Sequence, residues 1–196
     1  MLNGNKIVPV VVIKDLDDTI PTLDALIRGG INVAEITFRT ECAKDAIALG
    51  RDKFPNMLIG AGTILNVRQA KEAVEAGALF IVSPGFDEKT NEYLKEVGVP
   101  YIPGCVTPTE IMNAISKGVE IIKFFPANCY GGIKTLKALQ GPFKNVKFLP
   151  TGGVDESNIN DYLALENVVA IGGSFMMKGD IFENTRRVVE LITKEG

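Results

Sequence analysis

Two ionisable residues stand inside otherwise apolar β-type runs, and they set the range of chemistry open to this chain. Lys123 interrupts Glu120-Ile121-Ile122-Lys123-Phe124-Phe125-Pro126, and Glu35 lies within Val33-Ala34-Glu35-Ile36-Thr37-Phe38-Arg39. Strand alternation places Val33, Glu35, Thr37 and Arg39 on one face and the apolar Ala34, Ile36 and Phe38 on the other. It groups Lys123 with Ile121 and Phe125, opposite Ile122 and Phe124. A buried carboxylate is costly unless it is paired or useful. Glu35 is therefore either half of a structural ion pair with Arg39 or an acid/base beside an anion-binding arginine. Lys123 is either a salt-bridge partner that snorkels outward or a desolvated amine. Desolvation disfavours the ammonium and supplies neutral amine, the form that attacks a carbonyl to make an imine. The chain has no histidine. That removes Ser-His and Cys-His triads, His-ligated zinc and imidazole acid/base, and leaves carboxylate, lysine, tyrosine or cysteine to do any catalysis.

Two glycine pairs form a second candidate feature. One β-type run ends in Pro150-Thr151-Gly152-Gly153 and another in Ile171-Gly172-Gly173-Ser174. Glycine lets backbone N–H groups approach an anion closely, and Ser174 adds a hydroxyl; tight turns use the same residues. Other runs end in Gly60-Ala61-Gly62-Thr63, Ser83-Pro84-Gly85 and Pro103-Gly104-Cys105. Small residues there leave room for a ligand. Thr63 reads equally as a hydroxyl donor to a carboxylate and as a strand-end cap.

The elements that must position these residues alternate along the whole chain. Strand-like runs begin near Val8, Asn32, Met57, Leu79, Pro100, Glu120, Val146 and Val168. Helical patterns cover Asp18 to Arg28, Glu41 to Lys53, Val67 to Ala76, Glu88 to Val97, Pro108 to Lys117, Gly132 to Leu139, Glu156 to Leu165 and Ile181 to Lys194. Gly29-Gly30, Gly77, Gly98 and Gly118 stand where a left-handed C-terminal residue is wanted. Thr107-Pro108-Thr109-Glu110 reads as an N-cap with proline at the first helical position. Strict alternation implies a parallel sheet. No GxGxxG turn follows the first strand, and eight strands suit closure, so the expected fold is α/β, a (β/α)₈ TIM barrel forming one domain over residues 1–196. In that fold the strand C-termini carry the active site, and the loops after strands seven and eight bind phosphate.

Composition narrows the partners. The 196 residues are 46% hydrophobic and 23% charged, with a formal net charge of −3. Charges of both signs are interspersed, so neither a nucleic-acid surface nor a polybasic membrane patch is expected. The N-terminal apolar run is short and broken by Pro9, unlike a signal peptide, and no stretch reaches membrane-spanning length, which points to a cytoplasmic protein. Cys42, Cys105 and Cys129 are odd in number and widely spaced, and each reads as a buried or half-buried thiol rather than a disulfide partner, metal ligand or nucleophile.

The motifs EITFRT, GAGT, VSPG, IIKFFP, LPTGG and IGGS, in that order and spacing, resemble the class I 2-keto-3-deoxy-6-phosphogluconate (KDPG) aldolases. Many of these also act on 4-hydroxy-2-oxoglutarate (KHG). The match runs from about Val8 into the last helix. The resemblance implies that Lys123 forms a Schiff base and that Glu35 is the acid/base. Arg39 and Thr63 would hold the substrate carboxylate, with Phe125 and Pro84 lining the site. Thr151, Gly152, Gly153, Gly173 and Ser174 would surround the phosphate. It further implies a homotrimer, a small-molecule 2-keto acid substrate, and neither metal nor other cofactor. Family members carry a longer N-terminal helical segment than precedes the first strand here. Alternative expectations are an aldolase preferring KHG or the C4 epimer of KDPG, a phosphate-binding barrel isomerase or epimerase without a covalent step, and a non-catalytic scaffold.

Overall fold

The computed structural model describes Leu2 and residues 4–193. The last residue of the expected final helix, Lys194, and the end of the expected domain lie outside the described residues. Among the described residues, eight strands alternate with eight α-helices: β1 (Ile7–Val11), α1 (Thr19–Arg28), β2 (Val33–Thr37), α2 (Ala43–Lys53), β3 (Leu58–Gly62), α3 (Val67–Glu75), β4 (Ile81–Val82), α4 (Glu88–Glu96), β5 (Tyr101–Ile102), α5 (Pro108–Ser116), β6 (Ile121–Phe124), α6 (Gly132–Gln140), β7 (Lys147–Pro150), α7 (Ile159–Leu163), β8 (Ile171–Gly173) and α8 (Ile181–Thr193).

All strand pairings are parallel. Six strands form a half-barrel sheet in the order β5-β4-β3-β2-β1-β8, and β6 pairs with β7. Single parallel bridges lie at both seams, joining Gly104 to Lys123, Phe148 to Val168, and Thr151 to Gly172. Both faces of β2 are buried. One side packs Ala34 and Ile36 beneath helices, as alternation requires, while the other carries Glu35 inward. Phe124 and Phe148 are likewise fully buried and meet edge to face at 6.3 Å, which holds β6 and β7 under their covering helices.

Helix starts follow side-chain chemistry. Asn66 caps α3 through the Gln69 N–H at 3.0 Å, and Asp87 caps α4 through the Thr90 N–H at 2.8 Å. At α5, Thr107 and Glu110 form a reciprocal capping box, with Pro108 following the cap. These contacts satisfy N–H groups that no helix can satisfy internally.

Four details depart from the sequence expectation. The eighth run splits: Val168 bridges Phe148, whereas Ile171–Gly173 pairs with β1. Helix α7 begins at Ile159 rather than Glu156, because Asp155 accepts hydrogen bonds from the Ser157 N–H and hydroxyl and makes a local turn that competes with helix. Gly30 is left-handed at φ 100°, but Gly29 is helical at φ −74°; its requirement is space, since a Cβ there would strike Thr185. Cys105 is buried and Cys42 half-buried, but Cys129 is exposed.

Candidate active site

Strands β2 and β6 deliver Glu35 and Lys123 to one interior point. Their side chains are 0% and 4% exposed, and Lys123 Nζ lies 3.4 Å from Glu35 Oε1. Lys123 does not snorkel, and the partner of Glu35 is Lys123, not Arg39. The physical reason is that β2 ends at Thr37. The Arg39 N–H turns back to the Thr37 carbonyl at 2.8 Å, so alternation does not extend to Arg39, which is exposed at the mouth. Its Nε donates to Thr63 Oγ1 at 2.9 Å.

Glu35 is fitted closely into its place. Gly62 lies on β3 opposite Thr37, two residues along from the partner of Glu35, and any Cβ on Gly62 would overlap Glu35 Oε1. The other carboxylate oxygen, Oε2, is buried with no hydrogen-bond partner among the described residues. A carboxylate with one free acceptor, beside an amine, is equipped to exchange a proton with a reactant placed against it. Lys123 Nζ also stands 5.1 Å from the centroid of the Phe125 ring, and the Phe125–Pro126 peptide is cis. Thr63 has φ 58°. A β-branched residue in the left-handed region is strained, and such strain concentrates at functional sites.

Phe125, the ring beside Lys123, also lines a cavity of about 350 Å³ that gathers Arg39, Thr151, Gly152, Gly153, Gly173 and Ser174, while Lys123 and Glu35 themselves are not among its lining residues. Seven of the residues singled out in the sequence therefore share one space. Glycine is required here: Gly152 and Gly153 sit at φ 93° and 74°, and a Cβ on Gly172 would press on Thr151 Oγ1. Asn158 braces the loop, donating to the Gly153 carbonyl at 2.9 Å and accepting from the Asp155 N–H at 3.1 Å. Pro84 lines an adjoining cavity of about 470 Å³ instead, which shares Phe125 and also takes in Cys105, Glu110 and Tyr130. Burial, followed by the nearby Glu110 charge, pushes the Cys105 thiol up to about 12, which keeps it protonated and non-nucleophilic.

Sequence reasoning missed Val10, Val154, Asp155, Phe175 and Lys178 as lining residues of the first cavity. Asp155 and Lys178 each follow a glycine pair by a few positions, the only local signal that could have marked them. Among the described residues, no group of three or more His, Cys, Asp or Glu could hold a metal ion, and no helix is long and apolar enough to cross a membrane.

A buried amine and carboxylate in contact define a site suited to carbonyl chemistry through an imine. The family model for KDPG and KHG aldolase matches residues 1–191. The KHG/KDPG aldolase of Escherichia coli (strain K12) is 45% identical over 183 residues, 93% of this chain and 86% of that protein. The 2-dehydro-3-deoxy-phosphogluconate aldolase of Dickeya dadantii (strain 3937) is 42% identical, covering 94% and 86%. A crystal structure of KDPG aldolase from Legionella pneumophila, with pyruvate captured as a covalent carbinolamine intermediate, superposes with a TM-score of 0.90 at 39% identity, covering 98% of this chain and 95% of that one. The chain belongs to the KDPG and KHG aldolase family.

Proposed function

We propose that this protein is a class I aldolase, a carbon–carbon lyase that cleaves KDPG to pyruvate and glyceraldehyde 3-phosphate, and KHG to pyruvate and glyoxylate. The observation that carries the reading is the buried Lys123–Glu35 contact at 3.4 Å, with the second carboxylate oxygen free. Lys123 gives a proton to Glu35 and becomes a neutral amine. The amine then attacks the C2 ketone of a 2-keto acid. Glu35 supplies the proton that lets water leave the carbinolamine, and an iminium ion results. Glu35, again a carboxylate, takes the proton of the C4 hydroxyl. The C3–C4 bond breaks, its electron pair moves into the iminium, and the aldehyde departs. Protonation of the enamine at C3 and hydrolysis release pyruvate and restore Lys123.

Arg39, oriented by Thr63, holds the substrate carboxylate and so places C2 beside the amine. Phe125 and Pro84 wall the reacting carbons. Thr151, Gly152, Gly153, Gly173 and Ser174 receive the distal phosphate or, with KHG, the distal carboxylate. The bridges at both seams support closure of the eight strands into a (β/α)₈ barrel, and the unbroken alternation supports one domain over residues 1–196. The proposed assembly is a cytoplasmic homotrimer that needs no cofactor; sedimentation of the purified protein tests the trimer.

Borohydride added with pyruvate should leave a covalent adduct on Lys123, located by peptide mass spectrometry. An adduct on Lys134 or Lys147 removes the assignment of Lys123, and no adduct at all favours an isomerase or epimerase without a covalent step. Glu35→Gln should still bind pyruvate but lose most of its turnover in a lactate dehydrogenase-coupled assay.

A further inference from the structure

The cavity that gathers Arg39 and the glycine loops also takes in Lys178, a residue to which neither the sequence motifs nor the catalytic scheme assigns a role. Its main chain is pinned. The Asn184 amide donates to the Lys178 carbonyl at 2.6 Å, and Asn184 Oδ1 accepts from Arg187 at 3.0 Å. Lys178 forms no ion pair with any carboxylate among the described residues. Asp155, the one acid lining the cavity among the described residues, is turned into its own loop, where Oδ1 accepts from the Ser157 hydroxyl at 2.5 Å and the Ser157 N–H at 2.9 Å. The cavity thus has an uncommitted cation at one side, while Arg39 is tied to Thr63 at the other.

We propose that Lys178 is a specificity-determining residue, whose ammonium makes the distal end of the substrate cavity prefer a dianionic phosphate ester to a terminal carboxylate. The proposal rests on the aldolase reading above. Backbone N–H groups in glycine loops bind any oxyanion and distinguish one charge from two only weakly. Coulombic attraction to a fixed cation scales with the charge of the ligand. Lys178 is exposed, so solvent and salt screen it, and the preference it adds is roughly tenfold and shrinks as ionic strength rises.

Three proteins test this: wild type, Lys178→Met, which keeps most of the stem, and Lys178→Arg, which keeps the charge. Each is assayed with KDPG and KHG at low and high salt, and titrated calorimetrically with inorganic phosphate. The Met variant should lose roughly tenfold in kcat/KM for KDPG, carried by KM, and several-fold less for KHG. Its phosphate affinity should fall by a similar factor, the Arg variant should restore both, and high salt should erase the difference. A KDPG-to-KHG ratio within about twofold of wild type in the Met variant, or equal phosphate affinity in all three proteins, overturns the proposal. Pyruvate trapping on Lys123 in the same samples judges the aldolase reading separately, since it involves no phosphate; if trapping fails, the phosphate titrations alone still decide whether Lys178 binds the anion.

Discussion

Gly62 offers a way to move the catalytic carboxylate without touching its chemistry. In the β2–β3 ladder Gly62 pairs with Thr37, and the Glu35 side chain rises into the space a side chain at 62 would occupy. A Cβ built there lies 2.5 Å from Glu35 Cγ and 2.6 Å from Cδ, and overlaps Oε1. Carbon atoms in contact sit about 3.5–4.0 Å apart, so the carboxylate must retreat by about 1 Å. The Gly62 backbone is not in the left-handed region, so alanine adds no backbone strain. Overpacking of this kind costs about 1–3 kcal/mol, offset by about 0.4–1 kcal/mol from the stiffer unfolded chain. At about 2–4 °C per kcal/mol for a chain of this size, Gly62→Ala should lower Tm by only a few degrees. A 1 Å misplacement of a reacting group costs on the order of 100-fold in rate, and the lactate dehydrogenase-coupled assay should show kcat reduced by about that factor. Pyruvate should still be trapped on Lys123, since the amine remains in place. A Gly62→Ala protein with kcat near wild type and unchanged Tm would falsify the claim that glycine is needed at 62 to seat Glu35.

Three further outcomes follow from the same contacts. Thr63→Val removes the acceptor of Arg39 Nε and should raise the KM for pyruvate-based substrates about 5–10-fold with a smaller change in kcat, read from saturation curves; an unchanged KM means that Arg39 orients itself. With its thiol held up near 12, Cys105 should resist iodoacetamide at pH 8 while exposed Cys129 is alkylated, as peptide mapping would report; comparable labelling of both refutes the burial argument. Glu110 accepts from the Val106 and Thr107 N–H groups, and these bonds hold its carboxyl below the usual glutamate value of 4.5. Its folded value is the depressed one, so its contribution is present above the unfolded value and fades as pH falls through the folded one. Glu110→Ala should therefore cost on the order of 1 kcal/mol at pH 7 and progressively less below pH 4.5, measured by urea denaturation; a cost independent of pH sinks the capping assignment.

Local pattern was enough to read much of this molecule. Period-2 alternation in 33–37 and 121–124 is a property of the strand itself, so the inward faces of Glu35 and Lys123 were legible in the residues alone. The cap at Thr107 and the left-handed glycines at 77, 98 and 118 are legible for the same reason, because neighbours within four positions determine them. What the residues could not show is which inward groups meet. Glu35 and Lys123 are 88 positions apart, and their contact depends on how the parallel strands curve and on the reach of both side chains. Alternation carried past its end left Arg39 open as an ion-pair partner for Glu35, whereas the turn after Thr37 sends it to Thr63. Lys178 and Asp155 lay outside any motif because a cavity wall is drawn from loops after different strands, and only the packed fold brings those loops together. Sequence determined the faces of the elements; tertiary structure decided the partners, because a side chain's environment is set by contacts across the fold rather than along the chain.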